Sequence, residues 1–367
     1  MIRHNGDVPH IAAWRAIDAK PRPWSNSWPA NRNLGIGFML HLVRGCLIAC
    51  ALAGLAAPAQ AQGTYPDRPI RFVVAFPPGG ATDTFFRQIS NELQQALGGS
   101  IVIENRGGAG GYVGWQNVAA SAPDGYTFLV AENAIGINTA LFKKHPSGFN
   151  PLRDYDAVAA MGSTPLVWTV ANNVPANDFH EFVKWAKTQK DKFNYGSAGP
   201  GSVSHLSVEV MLDAAGIEAV HVPFKGGGPA AAGVAGGHVS VVVSALPVAK
   251  GQLEGKLVKA MAVTSEKRSP AMPDVPTFRG DLGYKPADVA LEFWWGIFAP
   301  RGIPEPIRAK VEKAVQATMA NPAVRERLMK VDTDPSFAPG PALRTKLENE
   351  INNWSKFIDA KGIKIEQ

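Results

Sequence analysis

Two glycine-rich loops hold the residues best suited to gripping a small molecule. The first, Phe76-Pro77-Pro78-Gly79-Gly80-Ala81-Thr82-Asp83, follows a short apolar run and precedes a helical pattern. Its glycines let backbone come close to a ligand, and a helix start offers unpaired N–H groups with a partial positive charge. An anion, a carboxylate above all, fits such a loop without Lys or Arg. The second loop, Tyr195-Gly196-Ser197-Ala198-Gly199-Pro200-Gly201-Ser202-Val203-Ser204-His205, again lies after a strand pattern and before a helical one. Its hydroxyls and backbone N–H groups could hold a second polar end. Ordinary turn-making and capping, by Thr82 or Asp83 in one loop and Ser202 or Ser204 in the other, account for the same residues equally well.

Other chemistry finds little support. The first loop has no Gly-Lys-Ser/Thr and no G-x-G-x-x-G pattern, so neither nucleotide fingerprint is complete and no cofactor is expected. Ser202 and His205 invite a hydrolase reading, but the G-x-S-x-G elbow is absent and no acidic partner is evident. No general base sits beside a recognisable nucleophile, so an α/β enzyme is the less favoured alternative. His145, His180, His205, His221 and His238 show neither H-x-x-x-H spacing nor carboxylate clustering, which argues against a metal. Two further glycine-rich turns, Asn105 to Gly111 and Phe224 to Gly228, could line a cleft, though turn geometry explains both adequately. The Trp294-Trp295 pair reads as strand core or a hinge seam before it reads as a stacking platform.

These loops must be positioned by alternating strands and helices. Ile70 to Phe76, Ile101 to Ile103 and Tyr126 to Val130 are strand-like, and Phe85, Phe86, Ile89, Leu93 and Leu97 recur at helical spacing. Strand patterns recur at 158–172, 193–196, 219–223, 239–243, 259–263 and 292–299. Helical ones recur at 178–189, 204–215, 229–235, 304–319 and 341–358. This order predicts an α/β fold with mainly parallel sheets in two halves, and ligands of such sheets bind beyond the carboxyl ends of the strands.

The N-terminus carries a different signal. Arg44, the apolar stretch Cys46 to Ala56 and Ala59-Gln60-Ala61 form an export signal over 39–61, with cleavage expected after Ala61. Residues 1–38 are polar and aperiodic, and a true start at Met39 is the expectation. Cys46 and Cys50 are the chain's two cysteines, so a processed chain would have no thiol. The segment 1–61 holds six Lys and Arg against two Asp and Glu. Without it the formal net charge drops from +6 to +2, and the basic character gives no reason to expect nucleic acid.

Taken in order, PPGGATD, IVIENRGGAGG, PDGYTFLV, NYGSAGPGSVSHL, AVHVPFKGGGPA, KLVKAMAVTS, DVPTF and FWWGIFAPRGIPEPI resemble the Bug-type substrate-binding proteins of tripartite tricarboxylate transporters. The resemblance covers nearly all of 64–367. It implies a two-lobed periplasmic-binding-protein fold, a type II-like flytrap in which each lobe is a mainly parallel sheet flanked by helices. Lobe 1 would be 62–164 plus 287–367, and lobe 2 would be 165–286. It further implies a periplasmic monomer that captures a small carboxylate for a membrane permease; a sensor presenting its ligand to a signalling partner is the alternative. Carried over residue by residue, the ligand-binding set is Phe76, Gly79, Gly80, Thr82 and Asp83 from the first loop, with Asp83 bracing it. Ser197, Gly201, Ser202 and His205 come from the second loop, and Lys225 from the V-P-F-K-G stretch. Where relatives often read Phe-Asp, this chain has Val243-Ser244, which weakens the case for an amino-acid ligand.

Overall fold

Strand β1 (Ile70–Val74) lies between β2 (Ile101–Asn105) and β3 (Thr127–Glu132) and pairs in parallel with both. Parallel neighbours need a crossover, and helices α1 (Ala81–Leu97) and α2 (Tyr112–Ala119) supply it. Phe85, Phe86, Ile89, Leu93 and Leu97 form the buried face of α1, as their spacing predicts. The helix stops at Gly98, whose φ of 72° is left-handed and favours glycine. All six residues of β3 are buried, as expected for a central strand covered on both faces. Helix α3 (Ala134–Leu141) follows it directly. The sequence pattern gives no sign of α3, because it is buried on nearly every side and has no polar face to mark a helical period. The computed structural model describes residues 65–142, 148–189 and 193–363; the export signal, Cys46, Cys50, the cleavage position and His145 lie outside them.

After the short helix α4 (Pro151–Asp154) comes β4 (Tyr155–Ala171), a strand of 17 residues that serves both halves of the fold. Helix α5 (Phe179–Gln189), β5 (Asn194–Ser197), α6 (Val203–Ala215), β6 (Val220–Pro223), α7 (Gly227–Ala235) and β7 (Val241–Ala245) form the second half. There β5 pairs in parallel with β6 and β7. Helix α8 (Leu246–Glu254) leads to β8 (Val258–Val263), and a long connection leads to β9 (Glu292–Pro300). The chain ends with α9 (Glu305–Ala320), α10 (Pro322–Met329), the two-residue β10 (Ala338–Pro339) and α11 (Gly340–Lys361).

The sheets are parallel only within each half. The first half of β4 runs antiparallel to β9, from Tyr155 opposite Pro300 to Pro165 opposite Glu292. From Leu166 onward β4 changes partner and pairs antiparallel with β7 and β8. One strand therefore stitches the two halves together, with β9 beside β3 completing the first sheet. The register of β4 slips at Gly162, where φ is 141° and a built Cβ would lie 2.3 Å from the Asp334 carbonyl oxygen, so only glycine fits this bulge. Trp294 and Trp295 are core residues of β9, and Trp295 stacks on Phe85 at 4.1 Å between ring centres.

Candidate functional site

The two halves meet where their strands end and their helices begin. A partly open cavity of about 30 Å3 lies between them, lined by Phe76, Gly80, Ala81 and Glu132 from one half and Ala198, Ser204, Gly227, Ser244, Ala245 and Val248 from the other, with Phe293 at its side. Four helix N-termini converge on it. Gly80 is the N-cap of α1, Ser202 of α6, Gly226 of α7 and Ala245 of α8. The first N–H groups of a helix have no partner within it, and the aligned peptide dipoles add partial positive charge there. No Lys or Arg lines the cavity. Positive potential here comes from the backbone.

The first loop is held in shape by side chains that do not themselves line the cavity. Asp83 does not cap α1, which begins two residues earlier at Ala81; the extended φ and ψ of Gly80 make it the boundary instead. The Asp83 carboxylate accepts from the Gly79 N–H at 2.9 Å, from Arg87 Nε at 2.9 Å and from Asn105 Nδ2 at 3.0 Å. Burial would raise its pKa, but these hydrogen bonds outweigh that and keep it below the usual carboxylate range. Asn105 also donates to the Phe76 carbonyl at 3.0 Å, so the third glycine-rich turn buttresses the first loop. Thr82 is buried and donates its hydroxyl to Glu132 Oε2.

The second loop is organised in the same way. Ser202 caps α6: it accepts from the His205 N–H at 3.3 Å and donates to the Gly199 carbonyl at 2.6 Å. Ser204 accepts from the Ala198 N–H at 2.9 Å and faces the cavity. Ser197 Oγ lies 2.6 Å from His221 Nε2. His205 stacks on His221 at 4.0 Å, and Tyr195, the cross-strand neighbour of His221, lies against both rings, at 5.0 Å from His221 and 6.2 Å from His205. Burial pushes both imidazoles down, His205 to about 3 with a further push from His221, and His221 to about 4, so this stack is neutral at pH 7. Lys225 is exposed and lies outside the cavity lining.

Direct contacts between the halves give a closed cleft. Asn138 of α3, fully buried, donates Nδ2 to the Gly201 carbonyl across the seam at 2.7 Å. A Cβ built on Gly226 would lie 3.2 Å from Pro77, and one on Gly228 would lie 3.8 Å from the Gly79 carbonyl oxygen. Of the residues singled out from sequence, Phe76 and Gly80 line the cavity. Gly79, Thr82, Asp83, Ser197, Ser202 and His205 form its supporting layer, and Gly201 sits on the seam. Sequence reasoning missed Glu132 as a lining residue; it had Ser204 among the second loop's hydroxyls, weighed also as a cap, and Gly227 in a turn that could line the cleft. For Glu132 a signal was available: one acidic residue closes an otherwise apolar strand at the carboxyl end of a parallel sheet.

A two-lobed α/β fold with a cleft of convergent helix N-termini defines the class of periplasmic solute-binding proteins. Solved members of that class superpose well. The periplasmic binding protein BugD is 31% identical, with a TM-score of 0.77 over 82% of this chain and 100% of its own. Rpa4515 of R. palustris with adipate is 29% identical, with a TM-score of 0.77 over 82% of this chain and 99% of its own. MatC of Rhodopseudomonas palustris with bound malate is 33% identical, with a TM-score of 0.73 over 80% of this chain and 100% of its own. Residues 85–363 match the tripartite tricarboxylate transporter family receptors, and the chain belongs to that family. Its role is that of a periplasmic solute-binding protein, and it is not an enzyme.

Proposed function

We propose that this protein captures a small carboxylate between its lobes and delivers it to a membrane permease of the tripartite tricarboxylate type. One observation carries the reading: four helix N-termini converge on a cavity lined by no Lys or Arg, an arrangement suited to a carboxylate. The adipate held by Rpa4515 and the malate held by MatC favour the same ligand class. At about 30 Å3 the cavity is too small for a dicarboxylate, which in this reading enters with the lobes apart and has them settle around it. In this reading 62–164 plus 287–367 form one lobe and 165–286 the other, with the boundaries near the partner switch of β4 and the start of β9. Export by the 39–61 signal with cleavage after Ala61, and action as a monomer, belong to the same proposal.

A thermal-shift screen against malate, adipate, succinate and citrate tests it. A ligand at 100 times its Kd stabilises the bound form by about 2.7 kcal/mol, which a melting curve resolves. Gly227→Leu is the control, because a Cβ there meets nothing within 4 Å and the added side chain grows into the cavity. That variant should melt close to wild type and lose the ligand-induced rise. A variant that keeps the rise would move the site elsewhere.

A further inference from the structure

Glu132 is an unexpected group in an anion site. It ends β3, is 6% exposed, and forms part of the cavity wall. Its sole hydrogen-bonding partner among the described residues is the Thr82 hydroxyl, which donates to Oε2. Thr82 is thereby spent, and Oε1 is left for whatever enters the cavity. Two carboxylates in contact in a medium of low dielectric cannot both stay ionised. No lysine or arginine in the wall separates them.

We propose that Glu132 takes part in ligand recognition as a neutral carboxylic acid, donating a hydrogen bond from Oε1 to a carboxylate oxygen of the ligand, so that capture takes up a proton. This deepens the carboxylate reading above and rests on it. The proton comes from solvent, sits on Oε1 and is shared with the ligand oxygen, and no covalent bond to carbon changes. The acid would select carboxylates over ligands that offer an N–H or ammonium at this point, since a neutral acid is a poor partner for a cation.

The surroundings of Glu132 agree with this protonation. Burial pushes its carboxyl up to about 7, and the Thr82 hydrogen bond only partly opposes that. No charged neighbour contributes. On α1, Asp83 and Arg87 are paired with each other. On β1, Arg71 pairs with Glu104 and lies beside Thr127, at the far end of β3. Glu292 of β9 is paired with Lys346 of α11. On α2 the phenol of Tyr112 reaches the Asn138 carbonyl, and α3 carries no titratable side chain. A ligand carboxylate would raise the Glu132 pKa further, so binding draws in a proton wherever the free site is still ionised.

The sign follows. Affinity is greatest below the free-site pKa and declines as pH rises through it. With that value near 7, the protonated fraction falls about tenfold between pH 6 and pH 8, and so should the affinity. Isothermal titration of the processed protein with malate and with adipate, at pH 6 and pH 8 and in two buffers of different ionisation heat, reads both the slope and the proton count. Glu132→Gln keeps a donor and an acceptor without the proton, and should bind with no pH slope and no proton uptake. A flat wild-type profile, or a slope that persists in Glu132→Gln, overturns the inference while leaving the carboxylate reading intact. If no carboxylate binds either protein at either pH, the carboxylate reading itself fails and this inference with it. An amino-group ligand such as putrescine that binds more tightly at pH 8 and is lost in Glu132→Gln would make Glu132 an anionic partner, and would also overturn it.

Discussion

Replacing Gly201 with alanine should prise the lobes apart. Gly201 has φ of 73°, and its carbonyl accepts from Asn138 Nδ2 across the seam at 2.7 Å. A Cβ built there would lie 2.5 Å from Asn138 Oδ1 and 2.9 Å from its Cγ, far inside contact. The Asn138 side chain cannot swing clear, because it is fully buried and Nδ2 also donates to the Ala134 carbonyl at 2.9 Å. Two costs separate cleanly. The left-handed backbone penalises alanine by about 1–2 kcal/mol whether the lobes are open or closed, and lowers the melting temperature accordingly. The clash exists only when they are closed. Relieving it loses the cross-seam hydrogen bond, about 1 kcal/mol net, and adds overpacking of about 1 kcal/mol or more. The closed-to-open ratio should then fall roughly 30-fold or more. Small-angle scattering should report a larger radius of gyration, and titration with the acid that gives the largest thermal shift should report weaker binding. In an Asn138→Ala background the same substitution has room, so its effect on affinity should at least halve. Wild-type affinity and radius in Gly201→Ala, or an undiminished loss in the double variant, would refute the argument that this contact governs closure.

Two further predictions concern stability. Glu350 of α11 is 6% exposed, and burial pushes its carboxyl up to about 8, so the native state holds a proton that the unfolded chain releases above about pH 4.5. Its contribution to stability therefore declines as pH rises from about 4.5 to 8. Glu350→Gln should melt a few degrees above wild type at pH 8 and level with it at pH 5, and a variant that is less stable at pH 8 would contradict this. The His205–His221 stack has the opposite sense. Both folded pKa values lie below the unfolded value near 6.5, so its stability is fully present above pH 6.5 and is lost as pH falls toward about 4, at up to about 1.4 kcal/mol per pH unit for each histidine. His205→Asn should flatten that acid limb of the melting temperature against pH; an unchanged limb would place the acid sensitivity elsewhere.

What sequence could and could not disclose about this molecule divides along a physical line. Strands such as β1 and helices such as α1 are legible because their periodicity is local: Phe85, Phe86, Ile89, Leu93 and Leu97 announce one buried face. Helix α3 is not, because a helix buried on nearly every side has no polar stripe to mark its turns. The antiparallel insertion of β4 and β9 between the parallel sets depends on pairings such as Tyr155 with Pro300, which are distant in the chain and leave no local trace.

The same division runs through the site. Loops 76–83 and 195–205 were recognisable as places where a backbone could grip an anion. Which atoms face the cavity was not, since that depends on how two lobes close on each other. Most of the polar side chains in the loops, Asp83, Ser197, Ser202 and His205, hold backbone in place, and the cavity wall is made largely of glycine, alanine and helix ends. That distribution suits a receptor better than a catalyst. A preorganised cradle of N–H groups binds an anion without placing a nucleophile or base against it, and the one acid in the wall, Glu132, is placed to discriminate among ligands by the proton it carries.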